Sequence, residues 1–242
     1  MKKRLKIIAA TAAFFLSGCD DDNKEDVIKF GICADYAPFE YYENGKLTGF
    51  DVELAKSVAK KLKKTAEFKD MQFSALIPSL QAGMVDAVIS AMAASEDRKK
   101  NCDFSDEYYS ETFAAVYKKD NPITDIKRLN SLKVACQLGS TMEAHLKKYA
   151  PNALLTLVDN NNQAIELLKA GHVDCVFINE NQGAAFCEKN AGLAYSFIAK
   201  GDKGYAAVAK KGSKLKEEIN KALKELESEG EIQKLKQKWI KN

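Results

Sequence analysis

A segment of eleven residues recurs in similar form, and this repeat constrains the fold more than any other feature of the sequence. The segment LQAGMVDAVIS spans residues 80–90, and LKAGHVDCVFI spans residues 168–178, with six identities at a constant offset of 88. Each copy takes an apolar helical stretch to Gly83 or Gly171, where a helix end favours a left-handed residue, and then enters a strand rich in Val or Ile. The repeat therefore predicts two similar units, each with a helix packed against a strand.

Strand-like segments precede both copies at similar distances, beginning near Ile28 and Lys133. Before the first copy, a further segment places Leu54, Val58 and Leu62 on one face of a helix. Strands and helices that alternate in this way predict two α/β lobes. With 242 residues the chain is long enough to give each lobe a core.

The ends of the repeated strands indicate where a ligand binds. In open α/β sheets, ligands bind at the carboxyl ends of strands, beside helix N-termini. These ends are residues 90–92 in the first half and 178–180 in the second. A ligand that touches both lies between the lobes, so we expect a cleft.

The N-terminus has the layout of a secretory signal peptide. A basic start is followed by an apolar run at residues 7–16 and by small residues. Residues 16–19 read LSGC and resemble a bacterial lipobox, which predicts a signal peptide at residues 1–18 and lipidation of Cys19. Residues 19–26 then form a polar tether. Asp20 resembles the signal that retains lipoproteins in the inner membrane, so we expect a lipid-anchored protein of the periplasm or cell surface, with the inner membrane favoured.

Charge and metal-ligating residues exclude two classes of function. The formal charge of +3 comes from 37 basic and 34 acidic residues, but four of the basic ones lie in the signal segment, which leaves 33 against 34. No basic excess remains to neutralise nucleic-acid phosphates. The two histidines, His145 and His172, are far in sequence from any cysteine pair at ligand spacing, so we expect no metal and no cofactor. Cys33, Cys136 and Cys175 lie in apolar runs typical of core positions, although a disulfide between two cysteines stays open.

Two features near the strand ends suit an anionic group. Arg98 emerges in the first turn of a short helix that Ser95 can cap, and the planar guanidinium fork matches a carboxylate. In the second half, the segment 139–141 reads GST and opens a helix after the strand KVACQ. Backbone N–H groups at such a position can bind an anion, but Ser140 or Thr141 can equally be a simple helix cap.

In order along the chain, these segments resemble the bacterial periplasmic solute-binding proteins for polar amino acids that serve ABC importers. The similarity runs from about Val27 to Trp239 and includes the motifs YAPFE at 36–40, LTGFDVELA at 47–55, ALIPSLQAG at 75–83, RKK at 98–100, FSDEYY at 104–109 and GST at 139–141. The resemblance implies two Rossmann-like lobes joined by a two-stranded hinge, the type II periplasmic binding fold. The implied division is 27–111 with 201–242 as lobe 1 and 112–200 as lobe 2, with crossings near 112–116 and 200–205, and the last helices return to lobe 1.

The resemblance also implies roles for individual residues. Arg98 would grip the α-carboxylate of the ligand, helped by the backbone around Ala91 and by Thr141 from the opposite lobe. Tyr36 and Phe73 would form aromatic walls against the ligand side chain. The complete set of expected ligand-binding residues is Cys33, Tyr36, Phe73, Ser90, Ala91, Ala93, Arg98, Thr141, Met142 and Asn179.

Three positions depart from the pattern of this family. Asn179 stands where an Asp usually holds the α-ammonium, Ala93 replaces a hydroxyl, and Cys33 replaces an Asp that often reads the side chain. An amide can accept a hydrogen bond, but the charge-assisted contribution is lost. Three outcomes stay open: weaker affinity, compensation by another acid such as Glu40, Asp35 or Glu180, or a ligand that is not an ordinary α-amino acid.

The resemblance predicts a monomeric, non-catalytic receptor that captures an amino acid or close analogue by lobe closure and then docks on an ABC permease. A dehydratase-like enzyme of the same fold is the alternative, with a cleft acid such as Glu180 protonating a leaving hydroxyl of a cyclic substrate. A sensor domain would ordinarily continue into a transmembrane segment and a signalling module, and the chain stops at Asn242. An adhesin or antigen role stays open.

Overall fold

The structure is a computed structural model that describes residues 26–240. The predicted signal peptide, the lipidation site Cys19 and all but the last residue of the tether lie outside the described residues. No helix within residues 26–240 has the length and apolar character needed to cross a membrane.

Short strands and helices alternate along the described chain. The strands are β1 Val27–Ile32, β2 Asp35–Tyr36, β3 Glu40–Glu43, β4 Lys46–Thr48, β5 Thr65–Asp70, β6 Ala87–Val88, β7 Cys102–Tyr109, β8 Thr112–Lys118, β9 Lys133–Gln137, β10 Leu154–Val158, β11 Cys175–Asn179, β12 Leu193–Lys200 and β13 Tyr205–Lys210. The helices are α1 Phe50–Lys61, α2 Leu76–Gln81, α3 Glu96–Lys99, α4 Thr141–Tyr149, α5 Asn161–Ala170, α6 Glu180–Lys189, α7 Leu215–Ser228 and α8 Glu231–Trp239.

Two five-stranded sheets repeat one topology. Sheet 1 has the order β5-β1-β6-β13-β7 and sheet 2 has the order β10-β9-β11-β8-β12. In both sheets the first three strands of the order are parallel, and the fourth is antiparallel to its neighbours on either side. The two α/β lobes predicted from the repeat are confirmed.

The chain passes between the sheets twice, which forms the expected two-stranded hinge. The first passage is at residues 110–111, between β7 of sheet 1 and β8 of sheet 2, and the second is at 201–204, between β12 and β13. The first crossing lies slightly before the expected position at 112–116, because Thr112–Lys118 pairs along its length with β12 of sheet 2. The hinge backbones meet where the Gly201 N–H donates to the Glu111 carbonyl over 2.9 Å.

Local sequence signals account for the repeated units. Gly171 ends α5 with φ +79°, and Gly83 follows α2 with φ +74°, so both adopt the left-handed conformation that glycine accepts at little cost. The strands that follow are buried, as apolar strands between helical layers should be. Helices α7 and α8 pack against α1, the helix that follows the first strands of lobe 1.

The cysteines of the described chain are all free, and Cys33, Cys102, Cys136 and Cys175 are buried whereas Cys187 is partly exposed. Core packing therefore accounts for four of these thiols, and no disulfide links cysteines within residues 26–240. His145 stacks on Phe177 with 5.8 Å between ring centroids, and His172 is exposed. In the described part of the chain no His, Cys, Asp and Glu side chains form a group that could hold a metal ion.

Candidate functional site

A narrow cavity lies between the lobes, at the carboxyl ends of β1, β6 and β9. Its wall is formed by Cys33, Tyr36, Glu40, Phe73, Ser90, Ala91, Arg98, Glu111, Gln137, Ser140, Thr141 and Met142. The cavity volume is about 10 Å³, room for about one water molecule. Ligand pockets are usually several hundred Å³, so a ligand can enter only when the lobes separate.

Eight of the ten residues expected from sequence border this cavity. Only Ala93 and Asn179 do not. Direct contacts hold the lobes together around the cavity: Arg98 of lobe 1 donates to the Gly139 carbonyl of lobe 2 over 2.9 Å, and Gln182 of lobe 2 donates to the Asp35 carbonyl of lobe 1 over 3.1 Å.

Arg98 is positioned by the short helix α3. The Ser95 hydroxyl caps this helix and accepts a hydrogen bond from the Arg98 backbone N–H over 3.4 Å. One guanidinium nitrogen donates to the Ala93 carbonyl over 2.7 Å, and the group lies 5.2 Å from the Phe73 ring centroid. Together with the bond to Gly139, two of the five guanidinium N–H groups have partners, so donors remain for a carboxylate. Burial lowers the pKa of Arg98 from its ordinary value.

Tyr36 and Phe73 border the cavity as aromatic side chains from lobe 1. Tyr36 is only 5% exposed and lies 6.0 Å from Phe39, measured between ring centroids. Phe73 is partly exposed in the 3-10 turn Phe73–Ala75 just before α2, where its ring also contacts the Arg98 guanidinium. One aromatic residue is therefore enclosed by the core, and the other is only partly covered, between the core and Arg98.

The wall around Cys33 carries several acids. The Ser90 hydroxyl donates to Glu40 Oε1 over 2.8 Å and accepts from the Cys33 backbone N–H over 3.0 Å. The Cys33 thiol lies 3.3 Å from Asp35 Oδ1, and the Asp70 carboxylate accepts the next backbone N–H over 3.0 Å. Burial, followed by the charges of Asp35 and Glu40, raises the pKa of the Cys33 thiol far above its ordinary value.

Two buried carboxyl groups, Glu40 of the wall and Asp51 behind it, interact with each other. Asp51, which is fully buried, accepts hydrogen bonds from the Ala91 N–H over 2.5 Å and from the Tyr108 hydroxyl over 2.8 Å. Glu40 is 1% exposed, and its Oε2 has no hydrogen-bond partner within the described chain. Burial raises the pKa of Asp51 to about 7, and burial together with the Asp51 charge holds the pKa of Glu40 well above its ordinary value.

This arrangement changes the expected part of the Ala91 backbone. The resemblance implied that the backbone around Ala91 helps to hold the ligand carboxylate, and within that backbone the Ala91 N–H is bound to Asp51. Ala91 has φ +42°, a conformation that is uncommon for a residue with a side chain. The fixed turn points the N–H into the protein, so it is not available to a ligand.

Lobe 2 contributes the N-terminus of α4. Ser140 is its cap and accepts from the Glu143 N–H over 3.3 Å, while the Gly139 N–H donates to the Glu143 carboxylate over 2.7 Å. The anion expected at this helix start is thus supplied in part by the protein's own Glu143. The Thr141 hydroxyl donates to Glu111 Oε1 over 2.6 Å, and Met142 is 3% exposed at the cavity wall.

Asn179 and Ala93 have other contacts. The Asn179 side chain is fully buried and caps α6, where its Oδ1 accepts from the N–H groups of Asn181 and Gln182. Its Nδ2 donates to the Thr112 carbonyl over 3.1 Å and to the Tyr205 hydroxyl over 2.9 Å. Ala93 forms a bridge with Tyr205, and its carbonyl accepts from Arg98.

The cavity wall includes residues that no sequence pattern indicates as ligand-binding. Glu111 and Gln137 belong to this group, and the sequence indicates Glu40 only as one acid that could compensate for a missing Asp. Glu111 belongs to the two-residue link between β7 and β8. A charged residue in the link between two strands is a weak signal, because such links are usually exposed and polar.

The comparisons with known proteins agree with each other. The family model for bacterial extracellular solute-binding proteins, family 3, matches residues 28–242. The chain is 39% identical to the arginine-binding extracellular protein ArtP of Bacillus subtilis, over 99% of this chain and 98% of that protein. It is 32% identical to the glutamine-binding protein GlnH of the same organism, over 89% of this chain and 82% of that one. A solved ancestral arginine-binding protein bound to arginine superposes with a TM-score of 0.85 at 40% identity, covering 89% of this chain and 98% of that chain.

Proposed function

The chain belongs to the bacterial extracellular solute-binding proteins, family 3, and is an extracytoplasmic amino-acid-binding component of an ABC importer; we propose that its ligand is a cationic amino acid such as arginine. The family membership confirms the resemblance seen in the sequence. The relatives named above are described as binding arginine or glutamine, whose side chains differ in charge. The residues around the cavity therefore have to distinguish a cationic ligand side chain from a neutral one.

The acids near Cys33 are the observation that supports a cationic ligand. Glu40 borders the cavity, Asp35 contacts the Cys33 thiol, and Asp70 accepts the N–H of the next residue. Glu40 Oε2 accepts no N–H from the described residues and faces the Asp51 carboxyl, so the two buried groups share a proton unless a positive charge comes close. A cationic side chain at this end of the cavity would favour the ionised form of the Glu40 and Asp51 pair. The absence of an Asp at position 33 therefore does not leave this end of the cavity without acids.

Arg98 provides the complementary end of the site. We assign it the α-carboxylate, because three guanidinium N–H groups remain without partners among the described residues and the fork suits a bidentate contact. Phe73 and Tyr36 would cover the aliphatic part of the ligand side chain. Cys33, Ser90, Thr141 and Met142 complete the proposed wall, and no cofactor is needed.

Lobe closure follows from the same geometry. Arg98 and Tyr36 belong to lobe 1, whereas Thr141 and Met142 belong to lobe 2, so only the closed form presents every contact. We propose that the closed monomer then docks on the permease, and that lipidated Cys19 keeps it at the membrane.

The receptor reading is also favoured over the dehydratase alternative. Glu180, the acid that we expected to act in a dehydratase, lies in the first turn of α6 and does not border the cavity. Both relatives named above are described as amino-acid-binding proteins, which agrees with a receptor.

Calorimetric titration of the full chain with arginine and with citrulline tests the proposal. Citrulline has nearly the shape of arginine but carries no side-chain charge. We expect arginine to bind about 10- to 100-fold more tightly, the range for a hydrogen bond to a charged group.

A matched pair of variants locates the effect. Glu40→Gln should remove most of the preference for arginine, whereas Glu43→Gln, at an exposed position on the same strand, should keep it. Equal affinity for arginine and citrulline in the unmodified protein would overturn the cationic ligand.

A further inference from the structure

Asn179 offers nothing to a ligand in this structure. It stands where the family pattern has the acid for the α-ammonium, yet both of its polar atoms are occupied inside the protein. Its side chain is fully buried and does not border the cavity. If the ligand is an α-amino acid, its ammonium group must find an acid elsewhere.

An acid that could serve instead, Glu111, lies directly before the start of the neighbouring strand β8. Asn179 pairs with Phe113 in the antiparallel ladder of β11 and β8, and Glu111 lies two residues before Phe113. Glu111 is 4% exposed, and its side chain borders the cavity. The carboxylate is therefore close to the position at which the family pattern has its acid, on the neighbouring strand rather than on β11.

Contacts from lobe 2 and from the second hinge crossing hold Glu111. Its Oε1 accepts from Thr141 of lobe 2 over 2.6 Å, and its backbone carbonyl accepts from Gly201 in the second crossing over 2.9 Å. A methyl group built on Gly201 would lie 2.7 Å from Glu111 Oε2, so a side chain at position 201 would displace the carboxylate. A carboxylate accepts more hydrogen bonds than the one that Thr141 donates.

Arg98 lies on the same wall, and opposite charges attract the two side chains to each other. The α-carboxylate and α-ammonium of an amino acid are attached to one carbon atom, so their anchors must be neighbours. Glu40 is the other acid on the wall, and it lies at the Cys33 end of the cavity. There it accepts a hydrogen bond from Ser90 and lies against Asp51. Asp35 and Glu180 do not border the cavity.

We propose that Glu111, in the hinge, replaces the missing acid at position 179 and binds the α-ammonium of the ligand. The inference rests on the proposed amino-acid ligand and adds a residue to its site. Arg98 and Glu111 then hold the two charged groups of the ligand backbone, and Glu40 holds the side chain. Because Glu111 belongs to the first hinge crossing and bonds Thr141, ligand binding acts directly on the segment that bends when the lobes close.

The test compares arginine with 5-guanidinopentanoate, which is arginine without its α-amino group. Calorimetry on the full chain should show that the unmodified protein binds arginine at least about 10-fold more tightly than the analogue. Glu111→Gln should weaken arginine binding by about 10- to 100-fold and leave the affinity for the analogue within about twofold. The variant amide can still accept from Thr141, and analogue binding itself reports an intact site.

Glu180→Gln is the matched control, since it removes the acid next to Asn179 that does not border the cavity. It should leave both affinities unchanged. Equal losses for arginine and the analogue in Glu111→Gln would mean a purely structural role, and unchanged arginine binding would exclude any role; either result overturns the inference.

The same titrations separate this inference from the proposed function. If citrulline binds as well as arginine but Glu111→Gln still abolishes discrimination against the deamino analogue, the cationic side chain is wrong and the ammonium anchor stands. If the unmodified protein binds none of arginine, lysine, ornithine and citrulline, the proposed ligand class fails and the inference fails with it.

Discussion

The two copies of the repeat end their strands in different ways. In lobe 1, five residues separate Ser90 from the start of α3, and this loop carries Ser90 and Ala91 to the cavity wall before Arg98. In lobe 2, α6 begins at Glu180, directly after the strand, so Asn179 becomes its cap and turns away from the cavity. The copies share a backbone unit, but the loop after each strand decides whether its side chains meet a ligand.

The difference between the two strand ends has a physical cause. A helix that starts at the strand end needs acceptors for its first N–H groups, and Asn is among the best caps. Asn179 satisfies that need with its oxygen, and its nitrogen is then held by Thr112 and Tyr205. In the first copy Ser95 performs the capping, which leaves the Ser90 hydroxyl to bond Glu40.

The largest effect is expected from Asn179→Asp. The new carboxylate oxygen would replace an amide nitrogen that donates to the Thr112 carbonyl, so two acceptors would face each other in a fully buried site. We expect destabilisation of about 3–5 kcal/mol, the cost of an uncompensated buried charge, measured by urea unfolding.

Asn160→Asp is the control, since Asn160 caps α5 through its oxygen at a partly exposed position and Asp caps equally well. If Asn179→Asp is as stable as the parent and binds arginine more tightly, then position 179 does meet the ligand, and both strand ends contribute to the site.

The second effect concerns the pH dependence of stability. Burial raises the pKa of Glu111 from 4.5 to about 7, with Thr141 and Arg98 opposing the rise and Asp202 adding to it. The folded state therefore favours the protonated carboxyl, so its contribution is fully present below pH 4.5 and is lost as the pH rises to about 7.

Glu111→Gln removes this dependence. Its free energy of unfolding should exceed that of the parent by an amount that grows between these pH values, to at most about 3 kcal/mol. Unfolding curves measured without ligand at several pH values check this, and a constant difference at all pH values would contradict the buried hinge carboxylate. Glu43→Gln controls for the loss of one negative charge at the surface.

A smaller effect is expected from Arg98→Lys, which tests the first copy. Lysine keeps the charge but cannot reach the Ala93 and Gly139 carbonyls and a ligand carboxylate at once. We expect a loss of about 1.5–3 kcal/mol in binding free energy without unfolding. X-ray scattering should show weaker compaction on addition of arginine, because the bond from Arg98 to Gly139 joins the lobes.

Arg128→Lys is the matched control, at an exposed position in lobe 2. Full affinity in Arg98→Lys together with normal compaction would remove Arg98 from the proposed site.

The sequence by itself determined the features that depend on local pattern. The repeat, with Gly83 and Gly171 after its helices, predicted the two α/β lobes, and Ser95 predicted the cap of α3, because these follow from backbone hydrogen bonding within a few residues. The position of Arg98 at the cavity wall followed from the rule that ligands gather at strand ends.

Only the tertiary structure decided which of these side chains are free to meet a ligand. Asn179 is occupied by Thr112 and Tyr205, which are 67 and 26 residues away along the chain. Glu111 meets Thr141 across 30 residues, and the Ala91 N–H meets Asp51 across 40. A sequence pattern reports which chemical groups lie near a strand end, but hydrogen bonds between distant segments determine which groups remain unpaired, because each bond depends on how both lobes fold and close.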